Sequence, residues 1–84
     1  MVNNQYMSIK GRNKSTMYHN HEQDRWFVRA GDNGYPLRCG ERVELVIGEN
    51  IFACRLELNQ YGWYIIIGQI SFLLSPNQSY TVVV

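Results

Sequence analysis

The sequence predicts an all-β domain, and three observations carry that expectation. Short runs rich in Val, Ile, Tyr and Trp alternate with clusters of Gly, Asn and Asp. No window spaces its apolar residues as an amphipathic helix does over three turns. Between residues 43 and 58, two alternating runs flank Gly48-Glu49-Asn50. That is the pattern of a β-hairpin, because successive side chains on a pleated strand point to opposite faces. The runs suffice for five or six strands, and an open sheet of that size exposes long edges. A small SH3-like barrel of five to six antiparallel strands removes them, and is the predicted architecture.

Taken in order, residues 1–14 read as a polar, basic arm and 15–84 as the barrel. Lys10, Arg12 and Lys14 place three of the eight positive charges in the arm. Residues 15–19 form a short strand and 20–24 a polar turn. In 25–29, Trp26 and Val28 share one face, while Phe27 lies on the other between Arg25 and Arg29. Gly31-Asp32-Asn33-Gly34 is turn chemistry. Residues 35–38 follow as an edge or a lead-in to the hairpin, since Pro36 donates no ladder bond.

In the hairpin, Val43, Leu45 and Ile47 share a face opposed to Glu44. Phe52, Cys54, Leu56 and Leu58 share a face opposed to Arg55 and Glu57. A turn centred on Glu49 sets Cys54 across from the 43–47 run, away from Cys39. Residues 63–67, Trp-Tyr-Ile-Ile-Ile, are apolar on both faces and predict the most central strand. Residues 68–74 fit a strand or one helical turn equally well. The closing run Tyr80-Thr81-Val82-Val83-Val84 is a strand with an uncharged edge.

Composition bounds the function. Hydrophobic residues at 45% exclude wholesale disorder, and a net charge of +1 argues against a dedicated duplex-DNA binder, which needs more positive charge to neutralise phosphates. The N-terminus lacks the apolar segment of a secretory signal, and no apolar run is long enough to span a bilayer. A cytoplasmic protein with two free thiols, and no membrane partner, is the expectation.

Five stretches carry a resemblance: Arg25-Trp26-x-Val28, Tyr35-Pro36-Leu37-x-Cys39-Gly40-Glu41, Val43-Glu44-Leu45, Cys54-Arg55-Leu56-Glu57 and Trp63-Tyr64-Ile65. Together they resemble a small domain-of-unknown-function family of Gram-positive bacteria, their phages and conjugative elements. The resemblance covers about the last four fifths of the chain. It implies a small SH3-like β-barrel without assigned activity, often encoded near mobile-element genes, and it supplies no catalytic residues.

Three candidate sites stand out. His19-Asn20-His21-Glu22 with Asp24 offers metal-ligand chemistry, but a structural zinc site takes four ligands and a polar turn is the simpler account. No metal or other cofactor is expected. Cys39 or Cys54 could pair with either histidine, yet Cys54 falls on the inner face and no base or oxyanion arrangement is legible, so an enzyme is not expected.

The third candidate is a set of aromatic and Arg side chains too numerous for so small a core. Arg25, Phe27, Arg29, Tyr35, Arg38, Arg42, Arg55, Tyr61 and Tyr64 are the predicted partner-binding residues, Trp, Tyr and Arg being the types that dominate binding hot spots. The leading function is a non-enzymatic protein-interaction module. Its concrete form is a phage or mobile-element inhibitor of a host defence protein, of the anti-CRISPR kind. The alternative is a single-stranded nucleic-acid or RNA binder, aided by Lys10, Arg12 and Lys14. A homodimer through the edge Tyr80 to Val84 is a third expectation.

Overall fold

The computed structural model describes Tyr6–Ser8 and residues 13–84. Among these residues there are nine strands and no helix: β1 Tyr6–Ser8, β2 Lys14–Asn20, β3 Arg25–Ala30, β4 Asn33–Pro36, β5 Arg42–Ile47, β6 Asn50–Asn59, β7 Gly62–Ile67, β8 Ile70–Leu73 and β9 Tyr80–Val83. All pair antiparallel in one sheet whose main path is β4-β3-β2-β9-β5-β6-β7-β8, with β1 laid against the first half of β6.

Three of the hairpins turn on the same chemistry. Gly31-Asp32, Gly48-Glu49 and Gly68-Gln69 each lie between directly paired residues, Ala30↔Asn33, Ile47↔Asn50 and Ile67↔Ile70. Each Gly sits near φ +60, as the first position of a two-residue hairpin loop of this kind requires.

The all-β class is as the sequence predicts, but the sheet is not closed into a barrel. Among the described residues β4 and β8 remain at opposite ends of the path, and no ladder joins them. Closure of the core comes from coiling. Met17, Trp26, Val28, Leu37, Leu45, Cys54, Leu56, Trp63, Ile65, Leu74 and Val82 form one buried cluster on the inner face. The Trp63 indole donates to the Asp24 backbone oxygen at 3.1 Å, tying the start of β7 to the turn before β3.

The path reads alike from either end, and the registers explain why. Met17↔Val28 in the β2/β3 ladder has its counterpart in Leu56↔Ile65 of β6/β7. Val28↔Tyr35 of β3/β4 matches Ile65↔Phe72 of β7/β8. Ser15↔Val82 of β2/β9 matches Cys54↔Val43 of β6/β5. The chain is therefore two similar four-stranded units, β9-β2-β3-β4 and β5-β6-β7-β8, related by a pseudo-two-fold axis between β5 and β9.

Their core residues correspond in kind: Trp26 with Trp63, Met17 with Leu56, Leu37 with Leu74. Even the backbone bond that ends each meander repeats, Leu37 N to Trp26 O at 2.8 Å and Leu74 N to Trp63 O at 2.9 Å. The units differ at one turn. The β2–β3 loop is longer and places Asp24, at φ 50, under the Trp63 indole. The shorter β6–β7 loop offers no such group, and Trp26 Nε1 is buried with no hydrogen-bond partner among the described residues.

Several expectations are corrected. The closing strand is no edge: β9 lies between β2 and β5, with Val82 paired to both Ser15 and Leu45. A homodimer seam along 80–84 would have to displace one of those ladders. The run 63–67 is second from the end of the sheet, not its centre, because its outer side pairs only with β8. Cys54 faces Val43, since the hairpin turn is Gly48-Glu49 and not a longer loop centred on Glu49. The 68–74 ambiguity resolves as strand β8.

Leu56 is 0% exposed at the middle of the cluster. Leu56→Ala removes packing from a fully buried site, at a cost of about 3 kcal/mol. In a domain of this size that is most of the folding free energy, of order 5 kcal/mol. Urea denaturation should show the midpoint falling steeply, and Met17→Ala, its counterpart, should lose a similar amount.

Candidate binding surfaces

The inner face of the β5–β8 unit forms an open groove of about 560 Å³. Leu45, Ile65, Leu74 and Tyr80 line it from the core side, and Ile47, Ile70, Phe72 and Leu73 from the rim. No lining residue carries a charge. The rim side chains are large and about half exposed or more, from 49% for Phe72 to 64% for Leu73. Every residue of β8 is exposed, and its sequence Ile-Ser-Phe-Leu holds neither a charge nor a proline. Among the described residues β8 pairs with β7 alone, which leaves its other side unpaired.

The matching groove in the other unit is of another character. It shares the counterpart positions Val28, Tyr35, Leu37 and Glu41, but Glu41 makes it charged, and Arg42 and Glu44 of β5 border it. Its edge strand β4 carries Pro36, which blocks one ladder position, as the sequence predicts.

The predicted binding residues do not share one surface. Arg25, Phe27 and Arg29 stand together on the outer face of β3. Arg42 and Arg55 are directly opposed on β5 and β6, and Tyr64 on β7 is opposed to Glu57. Arg55 is ion-paired with Glu57 on its own strand. Tyr35 is paired with Val28 and so belongs to the inner face at the β4 edge. Arg38 lies in the loop before β5, its backbone N–H donating to Glu41 Oε1 at 2.9 Å. Tyr61, 76% exposed, caps the β6–β7 turn alone. Lys10 and Arg12 lie outside the described residues.

Around Phe27 the sequence reading missed a member. Tyr18, its cross-strand neighbour, stacks on Phe27 with ring centroids 5.8 Å apart, and the Arg29 guanidinium lies 5.4 Å from the Tyr18 ring centre. Alternation already put Tyr18 on that face. Gly34 makes room for it, because a Cβ there would sit 2.2 Å from the Tyr18 hydroxyl.

The family described as Domain of unknown function (DUF5348) matches residues 15–84. The chain belongs to this family. The crystal structure of a protein from Ruminococcus gnavus is similar to this DUF5348 domain, with 20% identity, a TM-score of 0.68, and coverage of 86% of this chain and 100% of that one. At that identity the likeness speaks for the fold alone. No curated protein matches the sequence.

The remaining reactive groups of the DUF5348 domain are distributed apart. His19 joins Asp24 through Nε2 at 2.8 Å and His21 through Nδ1 at 2.9 Å, so both its ring nitrogens are engaged. No three His, Cys, Asp or Glu side chains converge as a metal site among the described residues. The exposed Cys39 thiol donates to Glu57 Oε1 at 3.3 Å. Cys54 is buried on the inner face, its thiol donating to the Val43 oxygen, and burial pushes its pKa up from 9.0 to about 11.

Two measurements follow from these contacts. A thiol reagent at mildly alkaline pH should label Cys39 readily and Cys54 only after denaturation; equal labelling of both in the native state would contradict the burial. Because Cys54 keeps its proton to higher pH when folded, its contribution to stability is intact below about pH 9 and declines as pH rises towards 11. In the second measurement, Gly34→Ala should destabilise by about 1 kcal/mol through overpacking against Tyr18. Tyr18→Phe should recover part of that loss, as a double-mutant cycle by chemical denaturation would show.

Proposed function

We propose that this chain is a non-enzymatic protein-interaction module whose partner adds an extended apolar segment to β8. The supporting observation is the coincidence of an unguarded edge with an uncharged groove. Exposed edge strands usually carry charge, proline or a bulge that prevents pairing, and β8 has none within its four residues. A strand added there gains backbone hydrogen bonds from the unpaired side of β8. Its alternate side chains reach the groove beside Phe72 and Ile70. An uncharged lining selects an apolar polypeptide over a phosphate-bearing ligand at this site, because a polyanion would meet no compensating charge.

The narrower form of the proposal is inhibition of a host defence protein by a phage or mobile-element product acting in the cytoplasm. What recommends it is the kind of genome in which such domains are expected; the groove fits any partner with a suitable strand.

An affinity pull-down from a Gram-positive host lysate, with nuclease, should recover one dominant protein. Hydrogen exchange on the complex should then show new protection at residues 70–73. Phe72→Glu should abolish recovery while leaving the melting temperature within a few degrees, since Phe72 is half exposed. A partner that binds Phe72→Glu undiminished, or leaves 70–73 unprotected, excludes β8 as the docking strand. The identity of the partner decides the inhibitor form.

A further inference from the structure

The two units have the same backbone plan but different outer faces, and the difference points to a second ligand. The outer positions of the first unit are Lys14, Thr16, Tyr18 and Asn20 on β2, and Arg25, Phe27 and Arg29 on β3. Gly34 and Pro36 on β4, and Thr81 and Val83 on β9, complete them. Three are cations and none is an acid. No carboxylate pairs with Lys14, Arg25 or Arg29 among the described residues. The outer face of the second unit instead balances Arg42 and Arg55 with Glu44 and Glu57. At the position matching Tyr18 stands Glu57, and at that matching Arg29 stands Ile66.

We propose that the outer face of β2 and β3 binds single-stranded nucleic acid, with Arg25, Arg29 and Lys14 on phosphates and the Tyr18–Phe27–Arg29 stack against a base. The stack is already assembled. The two rings lie within 24° of parallel, and the guanidinium extends the platform over Tyr18. Bases stack on such surfaces without sequence preference, and a guanidinium contributes through its own plane and charge. Arg25 spends one N–H on the Leu37 oxygen at 3.2 Å, which fixes the side chain and leaves other donors for a phosphate.

Along β3, Arg25 and Arg29 flank Phe27 on one face, with about 13 Å between their Cα atoms from the strand rise. That spacing suits phosphates two nucleotide steps apart on an extended strand, with the base between them facing Phe27. A duplex is a poor match. The face is a sheet surface with no helix to enter a groove, and paired bases offer no open ring face to Tyr18. This site lies on the opposite face of the sheet from the β8 groove and depends on none of its residues.

The test is fluorescence anisotropy of the full chain with labelled oligo(dT) and oligo(rU) of about 12 nucleotides, within the range one small β-domain covers. With three phosphate contacts on a single strand, affinity should fall about 20-fold between about 50 and 200 mM salt. Arg29→Ala should weaken binding and flatten that fall to about 7-fold, as expected for one contact fewer. Arg29→Lys should keep the steep salt dependence yet bind more weakly, because a lysine restores charge and not the stacked plane.

Arg42→Ala, on the other unit, and Phe72→Glu, in the groove, should bind as the parent does. Absence of binding at the lower salt, or equal losses for Arg29→Ala and Arg42→Ala, overturns the proposal. So does binding that follows Lys10→Ala/Arg12→Ala and ignores Arg29→Ala. Arg29 is exposed, so a thermal melt of each variant distinguishes a lost contact from a lost fold.

Discussion

The pairing of β5 with β9 is the junction on which the rest of the structure depends. Leu45 and Val82 meet there in register, both buried, and each also faces a strand of its own unit. Without that seam the chain would be two partial sheets, each with an apolar inner face open to water. With it, the inner faces coil towards each other and one cluster fills the space between them. The indole of Trp63 then reaches the loop of the opposite unit, a cross-connection possible only because the seam has set the distance.

A shared plan leaves the side chains free to diverge wherever the core is not concerned. Inner positions stay matched because the packing requires volume and apolarity at both: Trp26 with Trp63, Val28 with Ile65. At the rims and outer faces nothing imposes a match. One unit keeps an apolar groove and an unguarded edge; the other has a charged groove and a proline at its edge. On the outside the contrast reverses, with cations that meet no carboxylate among the described residues on one unit and the Arg55–Glu57 ion pair on the other. Two distinct surfaces can thus arise from one repeated scaffold.

Much of this was legible in the sequence, and what was not has identifiable physical causes. Alternation correctly placed Trp26, Val28, Cys54 and Leu56 inside, with Phe27 and Arg55 outside, because that pattern is a local property of a strand. Register was less legible. Reading Glu49 as the turn centre displaced Cys54 from its true partner Val43, although Gly48 at positive φ fixes a two-residue loop.

Neighbourhood was the least legible property. Residues 63–67 are apolar on both faces yet lie next to an edge, and 80–84 looked like an edge yet lie in the middle, because the strand a segment pairs with is not written in the segment. The predicted binding residues scattered for the same reason. The repeat itself could have been found: Trp26, Gly31 and Leu37 recur at the same spacing as Trp63, Gly68 and Leu74. Finding it would have argued for two meanders over one barrel, and for β8 as the counterpart of β4.

The position of β9 has a consequence for how the chain acquires its structure. β5, β6, β7 and β8 are consecutive, so each ladder among them closes a short hairpin at small entropic cost. The β2–β9 ladder instead joins segments separated by nearly the whole domain, and the entropy of closing that loop must be met before any contact rewards it. The second unit is therefore the natural nucleus. β2, β3 and β4 also close local hairpins, but they join the second unit's sheet only through β9, so the long-range β9 ladders are what make one sheet of the two units.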